Sequence, residues 1–198
     1  TVLEEISDLL TYPMFVKPAN LGSSIGISKA ADCPQLEQAI EVARQFDFKV
    51  IVEEAVPDAR EIECAVLGNE APEVSVLGEV LPSGEFYDYE SKYIDDRTDY
   101  VIPAKLTSKQ TNTLQAMAIA AFQAVEASGM ARVDFLMTRE TERLYLNEVN
   151  TIPGFTTVSM YAKLWQASGL GYPELLKRLI NLALERHRER QALRTSLT

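Results

Sequence analysis

Apolar and polar residues along this chain follow two different periods. Short apolar or alternating runs predict strands at residues 14–17 (MFVK), 50–53 (VIVE), Ile62–Leu67 and Val74–Val80. Leu36, Ala39, Ile40 and Ala43 recur at helical spacing behind Asp32, a suitable N-cap, with Gln35 placed to complete a capping box. A second such pair, Thr107 and Gln110, precedes Leu114, Met117, Ala118, Ala121 and Val125 and predicts a helix over 108–127. Two further strands, 131–138 and 144–150, flank the polar turn Arg139–Glu142 and read as an antiparallel hairpin. Helices are expected over 156–168 and 173–190, with a frayed tail from Gln191. Ser83-Gly84 reads as a turn. Phe86–Pro103 is polar, aromatic and charged without a clean period, as a long functional loop would be. No repeat and no regular βαβ rhythm is present, so the pattern predicts an α+β architecture of two packed lobes.

Composition narrows the function. A length of 198 residues suits one domain or two small lobes, and 46% hydrophobic residues can build a core. Lys and Arg number 19 against 29 Asp and Glu, a net charge of −10. Such a surface repels phosphate backbones, so no nucleic-acid partner is expected. No apolar run approaches the roughly 18 residues a membrane helix needs, so no membrane partner is expected either. The opening TVLEEISDLL shows no signal peptide, and its first residue is Thr rather than Met, so an upstream portion is expected. The two cysteines, Cys33 and Cys64, lack metal-type spacing. They read as small buried apolar residues in a reducing cytoplasm.

Four constellations can carry chemistry. In the 131–150 hairpin, Arg132 and Asp134 share one strand face, and Glu148 and Asn150 share one face of the partner strand. If those faces coincide, three oxygen ligands suited to magnesium converge with a guanidinium that can stabilise a transferring phosphoryl group. Spacing alone equally allows a wet, charged strand face. The following segment, Thr151 to Thr156, contains Gly154, where backbone can approach a ligand, and leads to Ser159 at a helix start, where an anion could bind. An ordinary Pro-Gly turn is the plainer reading. The second constellation is Lys17 followed by the Gly/Ser-rich stretch Leu21–Ile27. It is not a Walker A loop, yet a strand-borne lysine before such a loop can clamp phosphate. The third is Glu53-Glu54-Ala55-Val56 with Glu61 beyond it, a strand exit able to present backbone to an adenine edge and a carboxylate to a ribose. The fourth is the loop Phe86–Tyr93. Its Lys92 could reach phosphate and its Tyr93 hydroxyl the substrate, as in a lid.

In this order the motifs VKPANLGSSIG, FYDYESKY and GMARVDFLM…LYLNEVNTIPGFT resemble the D-alanine–D-alanine ligases of the ATP-grasp superfamily, from Tyr12 to Arg186. The resemblance implies an ATP-grasp fold, two subdomains with antiparallel sheets and flanking helices enclosing a nucleotide cleft. It assigns 1–61 to the end of the central subdomain and 62–190 to the C-terminal one, with 191–198 as tail. It implies ATP and two Mg2+ (or Mn2+) ions as cofactors, D-alanine as substrate, a role in peptidoglycan synthesis and a homodimer for the full-length protein. The loop ending in Lys92-Tyr93 is similar to the dipeptide-forming type. Relatives that accept D-lactate carry a histidine-bearing loop there, and the lone histidine here, His187, lies in a charged helix end.

The resemblance also implies roles. Lys17 and Lys92 contact ATP phosphates. Glu53, Glu54 and Val56 line the adenine region, Glu54 through its backbone at most because a lysine is common at that position. Glu61 holds the ribose. Asp134, Glu148 and Asn150 bind the two metal ions, with Glu148 bridging. Arg132 and the Gly154 N–H stabilise the tetrahedral transition state. Ser159 helps hold the second D-alanine's carboxylate. Ser23 and Tyr93 belong to a hydrogen-bonded set completed in the family by a glutamate of an N-terminal domain. That domain, and a further phosphate-binding lysine, lie outside this sequence. Two other readings remain open: a non-catalytic nucleotide-binding fragment, and an ATP-grasp ligase with a different acceptor.

Overall fold

The structure, a computed structural model, describes residues 1–81 and 99–193. It is α+β, as the two periods predict, and its chain forms two compact units.

The first unit holds Thr1–Pro57. Helix α1 (Val2–Leu9) was not anticipated, although its signal is plain. Thr1 and Glu4 form a reciprocal capping box. Three antiparallel strands follow in the order β2-β1-β3, namely β1 (Met14–Pro18), β2 (Ser28–Ala30) and β3 (Val50–Glu54). Alternation along β1 sends Met14 and Val16 into a core with Ala30 and with Leu36, Ala39 and Ala43 of helix α2 (Cys33–Ala43). It turns Phe15 and Lys17 to the other face. At the α2 N-cap, Asp32 accepts from the Gln35 N–H at 3.0 Å, as expected. The Gln35 side chain, however, takes the Ala31 N–H at 3.0 Å instead of that of Asp32, so the expected box is not closed on the cap residue.

The second unit holds Asp58–Leu81 and the residues from Tyr100 onward. Its five-stranded sheet has the order β6-β5-β4-β7-β8, from β4 (Ala59–Gly68), β5 (Glu73–Leu81), β6 (Asp99–Val101), β7 (Gly129–Thr138) and β8 (Leu144–Asn150). The β4/β5, β4/β7 and β7/β8 pairs are antiparallel. Strand β6 corrects the expectation of loop up to Pro103. Its three residues add an edge to β5, too short a run to show a period.

One face of this sheet carries Ile62, Cys64, Val66, Ala131, Val133 and Phe135, packed on Leu114, Ala118, Ala121 and Phe122 of helix α3 (Ser108–Ala124). The Thr107–Gln110 box is fully formed. The helix ends three residues before 127 because Glu126 turns left-handed (φ 51°). The Glu126 and Ala127 N–H groups then close on the Gln123 and Phe122 carbonyls at 3.0 and 3.1 Å, a Schellman end without glycine. The opposite face carries Glu61, Glu63, Arg132 and Asp134. There helix α4 (Met160–Ala167) crosses β5 so closely that a Cβ on Gly78, the partner of Glu63, would stand 2.8 Å from Leu164. Helix α4 starts four residues later than expected because 156–159 form a turn in which the Ser159 N–H meets the Thr156 carbonyl at 3.2 Å. Helix α5 (Tyr172–Ala192) runs past Gln191, where fraying was expected to begin. Among the described residues no helix is long and apolar enough to cross a membrane.

Candidate active site

In the first unit, strand alternation puts Lys17 and Glu53 on one face of the β1/β3 pair, each diagonal to the other in the ladder. The Lys17 ammonium lies 2.7 Å from the Glu53 carboxylate, with the lysine the more buried of the two. Glu54 points elsewhere. Its carboxylate accepts the Thr11 N–H at 2.6 Å. The half-buried Val56 follows the strand end.

The Gly/Ser-rich loop after Lys17 is made of consecutive turns. The Ile25 and Ile27 N–H groups reach the Gly22 and Ser24 carbonyls at 3.3 and 3.4 Å. Ser23 and Ser24 both adopt left-handed backbone, φ 57° and 58°, a conformation that costs a residue with a Cβ about 1 kcal/mol or more. Gly26, also left-handed at φ 74°, has no room for a side chain, since a Cβ would lie 2.6 Å from the Phe46 ring. Asp47 ties the loop's near end, accepting both the backbone and side-chain N–H groups of Asn20 at 2.9 and 2.8 Å.

The second unit gathers the hairpin residues. Arg132 stands opposite Asn150 and Asp134 opposite Glu148. This coincidence of faces depends on a bulge. Beyond Asp134 the register slips, Phe135 pairs with Leu146, and Asn147 is the extra residue. An unbroken strand would have set Glu148 and Asn150 on the same side as Leu144 and Leu146. The bulge instead leaves Leu144 and Val149 against the α3 core and turns Glu148 and Asn150 toward Asp134.

The resulting cluster is tight. The Arg132 guanidinium donates through Nε and Nη2 to both Asp134 oxygens at 2.7 Å. Its Nε also lies 3.1 Å from Glu63 Oε2. The Asn150 amide nitrogen donates to Asp134 at 3.1 Å and to Glu148 at 2.8 Å. Burial, with the nearby Glu148 carboxylate, pushes Asp134 upward from the usual carboxylate range against the pull of Arg132. Burial also pulls Arg132 down, but Asp134, Glu63 and Glu148 outweigh it and hold the guanidinium charged.

Two carboxylates converging on one amide N–H make a place where positive charge is favoured. Turning the Asn150 amide by half a rotation exchanges its nitrogen for its oxygen, which makes three oxygen ligands around that place. The donor set therefore fits a hard cation held partly by the protein and partly by nucleotide phosphates, as Mg2+ commonly is. It is a sparse set. Among the described residues no group of three or more His, Cys, Asp or Glu side chains has ligating geometry.

Beyond the hairpin, a Cβ at Gly154 would meet only the Ser159 hydroxyl, at an ordinary 3.6 Å. Packing within the chain thus does not demand glycine there. Ser159 is the N-cap of α4, but its hydroxyl turns back to Thr156, accepting its N–H at 2.9 Å and pairing with its hydroxyl at 2.8 Å. Glu61 shares the sheet face of Asp134. Lys92 and Tyr93, with the turn at Ser83-Gly84, lie outside the described residues.

Sequence reading missed Glu63. It faces Asp134 across β4/β7, is only 8% exposed and contacts Arg132. Its signal was available: it lies two residues beyond Glu61 in a strand, hence on the same face.

Comparison with known proteins identifies the family and the fold. Over 194 residues the chain is 54% identical to a D-alanine–D-alanine ligase of Bacillus cytotoxicus, covering 98% of this chain and 53% of that protein. It is 52% identical to D-alanine–D-alanine ligase A of Salmonella typhimurium over the same shares. Among solved structures, the D-alanine–D-alanine ligase of Coxiella burnetii superposes with a TM-score of 0.82 at 39% identity, over 96% of this chain and 49% of that one. The VanG D-Ala:D-Ser ligase of Enterococcus faecalis superposes at 0.80 and 38%, over 91% and 52%. The α+β fold is thus the ATP-grasp fold of these ligases. The chain spans about half the length of the curated relatives it matches. Residues 1–181 match the family described as D-ala D-ala ligase C-terminus, and the chain belongs to that family.

Proposed function

We propose that this chain supplies the nucleotide- and cation-handling part of an enzyme that uses ATP to join two D-alanines. The carrying observation is the opposition of Asp134 to Glu148, with Asn150 and Arg132 at their side, in a chain of this family. Residues 1–61 are the end of the central subdomain and 62–190 the C-terminal subdomain, a boundary four residues beyond the Pro57/Asp58 division of the compact units. Asp134, Glu148 and Asn150 hold Mg2+ or Mn2+, whose charge when bound offsets that of the ATP phosphates. Lys17 neutralises phosphate oxygens, with Lys92 as a second cation. Glu53, the Glu54 backbone and Val56 border the adenine, and Glu61 takes the ribose hydroxyls.

The reaction joins two anions, so cations must come first. A carboxylate oxygen of the first D-alanine bonds to the γ-phosphorus as the bond to the ADP oxygen breaks, giving an acylphosphate and ADP. The amine of the second D-alanine then attacks the carbonyl carbon and gives up a proton, and phosphate leaves with the bonding pair. Arg132 and the Gly154 N–H stabilise the negative charge that develops, Ser159 orients the incoming carboxylate, and Ser23 with Tyr93 orients the first D-alanine. Likeness to VanG, a D-Ala:D-Ser ligase, keeps D-serine as an alternative acceptor. The dipeptide-type Lys92-Tyr93 loop favours an amine acceptor over D-lactate.

A coupled assay of ADP release tests this, on the chain alone and joined to the N-terminal half of the Bacillus cytotoxicus relative. The joined protein is expected to release ADP in step with D-alanyl-D-alanine, and faster with D-alanine as the acceptor than with D-lactate. ATP binding without D-alanine-dependent consumption would contradict the proposal.

A further inference from the structure

We infer that Glu63 is a positioning residue, the second anchor of the Arg132 guanidinium and the one that remains when Asp134 is engaged elsewhere. The register places Glu63 opposite Asp134 and the small Ala65 opposite Arg132, so the Arg132 side chain can cross diagonally to Glu63. Its Nε lies between the two carboxylates, 2.7 Å from Asp134 Oδ1 and 3.1 Å from Glu63 Oε2. Glu63 is buried between β5 at Gly78 and β7 at Asp134, and helix α4 packs over Gly78. A carboxylate is costly in such a place unless it answers a charge, and Arg132 is a charge it answers.

The two anchors are not equivalent. Asp134 also accepts from Asn150 and faces Glu148, so it belongs to the cluster where positive charge collects. Once a cation draws on the Asp134 oxygens, their hold on Arg132 weakens. Glu63 is separated from that cluster by Asp134 itself. Its carboxylate then keeps the guanidinium from swinging after the displaced partner. This second step rests on the cation reading of the site, whereas the anchoring in the free chain does not.

In the folded chain the Arg132 Nε–H is donated to Asp134, and Glu63 Oε2 holds the guanidinium as an ion pair without accepting a hydrogen bond. Solvent exchange of the Nε–H resonance in a 1H–15N spectrum therefore reports whether Glu63 takes up that N–H when Asp134 is lost. Glu63→Gln keeps the shape and removes the charge, and Asp134→Asn imitates an Asp134 whose charge is spent on a cation. Each single variant is expected to keep a protected Nε–H, and the double variant to exchange about tenfold faster or more, a coupling that two independent structural effects would not produce. If Asp134→Asn alone frees the Nε–H as fully as the double variant, Glu63 anchors nothing and the inference falls. A dispersed backbone amide spectrum confirms folding of each variant. In a second arm Mg2+ is added with ADP. Protection is expected to persist in the unsubstituted chain and to be lost in Glu63→Gln. Equal protection in both, with the Asn150 side-chain resonances shifted by Mg2+, overturns the inference alone. If Mg2+ with ADP shifts neither Asn150 nor Arg132, the cation reading fails while the first arm still decides Glu63.

Discussion

Asp134 and Glu148 stand directly opposite one another in the β7/β8 ladder, and the extra residue Asn147 is what puts them there. Phase, more than composition, makes this hairpin a candidate site. The same residues in an unbroken ladder would point two ligands toward the helix α3 side of the sheet.

Deleting Asn147 therefore tests the layout. The deletion restores regular alternation, so the strand must misplace either Leu144 and Leu146 or Glu148 and Asn150. We expect a folded but destabilised chain that loses Mn2+ binding. Replacing Asn147 with Ala keeps the extra residue and should leave binding within about twofold, since such a change leaves the ligand shell untouched.

Arg132→Ala removes the one guanidinium held between Asp134 and Glu63, both buried. Breaking a buried pair from one side costs about 3–5 kcal/mol. Urea unfolding should show a loss of that order. Added Mg2+ should recover part of it, because a cation bound to the folded state stabilises by mass action.

Gly26→Ala places a Cβ 2.6 Å from the Phe46 ring on left-handed backbone. Clash and strain together should cost about 1–3 kcal/mol. Shortening Phe46 to Ala in the same chain removes the clash but leaves the backbone strain. The double variant should therefore lose less than the sum of the two single losses.

Much of the fold was legible because the signals were local. The Thr107–Gln110 box, the alternation in β7 and the polar turn at 139–142 each sit within a few residues of what they specify. What escaped depends on distant partners or on short runs. Strand β6 has three residues and exists as an edge of β5. Glu126 ends α3 in a conformation that normally selects glycine, so no breaker marks the spot. In the candidate site, the shared face of Arg132 and Asp134 follows from alternation. The bulge at Asn147 does not, because nothing in LYLNEVN marks a bulge. Glu63 escaped for another reason: a glutamate between Ile62 and Cys64 looks like the solvent side of an edge strand, whereas β4 is central and covered on both faces.

Cys64 carries a pH signature. Burial, with a smaller push from Asp134 and against hydrogen bonds to Ser75, raises its thiol to about 12 from an ordinary 9.0. The folded chain therefore holds this proton more tightly than the unfolded one. Its contribution is intact below pH 9, where both states are protonated, and declines as pH rises from 9 toward 12, where only the unfolded thiol has ionised. Cys64→Val should flatten the alkaline loss of stability seen by urea unfolding. Only Cys64 is buried as the sequence suggested; Cys33, in the first turn of α2, is exposed, so at pH 8 iodoacetamide should label Cys33 and spare Cys64 until the chain unfolds.

The central claim is that Asp134, Glu148 and Asn150 act jointly on a divalent cation. It is tested most directly by an electron paramagnetic resonance titration of Mn2+, with ADP present, into the chain and its Glu148→Gln variant. We expect saturable binding that the variant weakens by about tenfold or more while its unfolding midpoint stays close to that of the unsubstituted chain. Equal affinity in the two proteins would contradict the account.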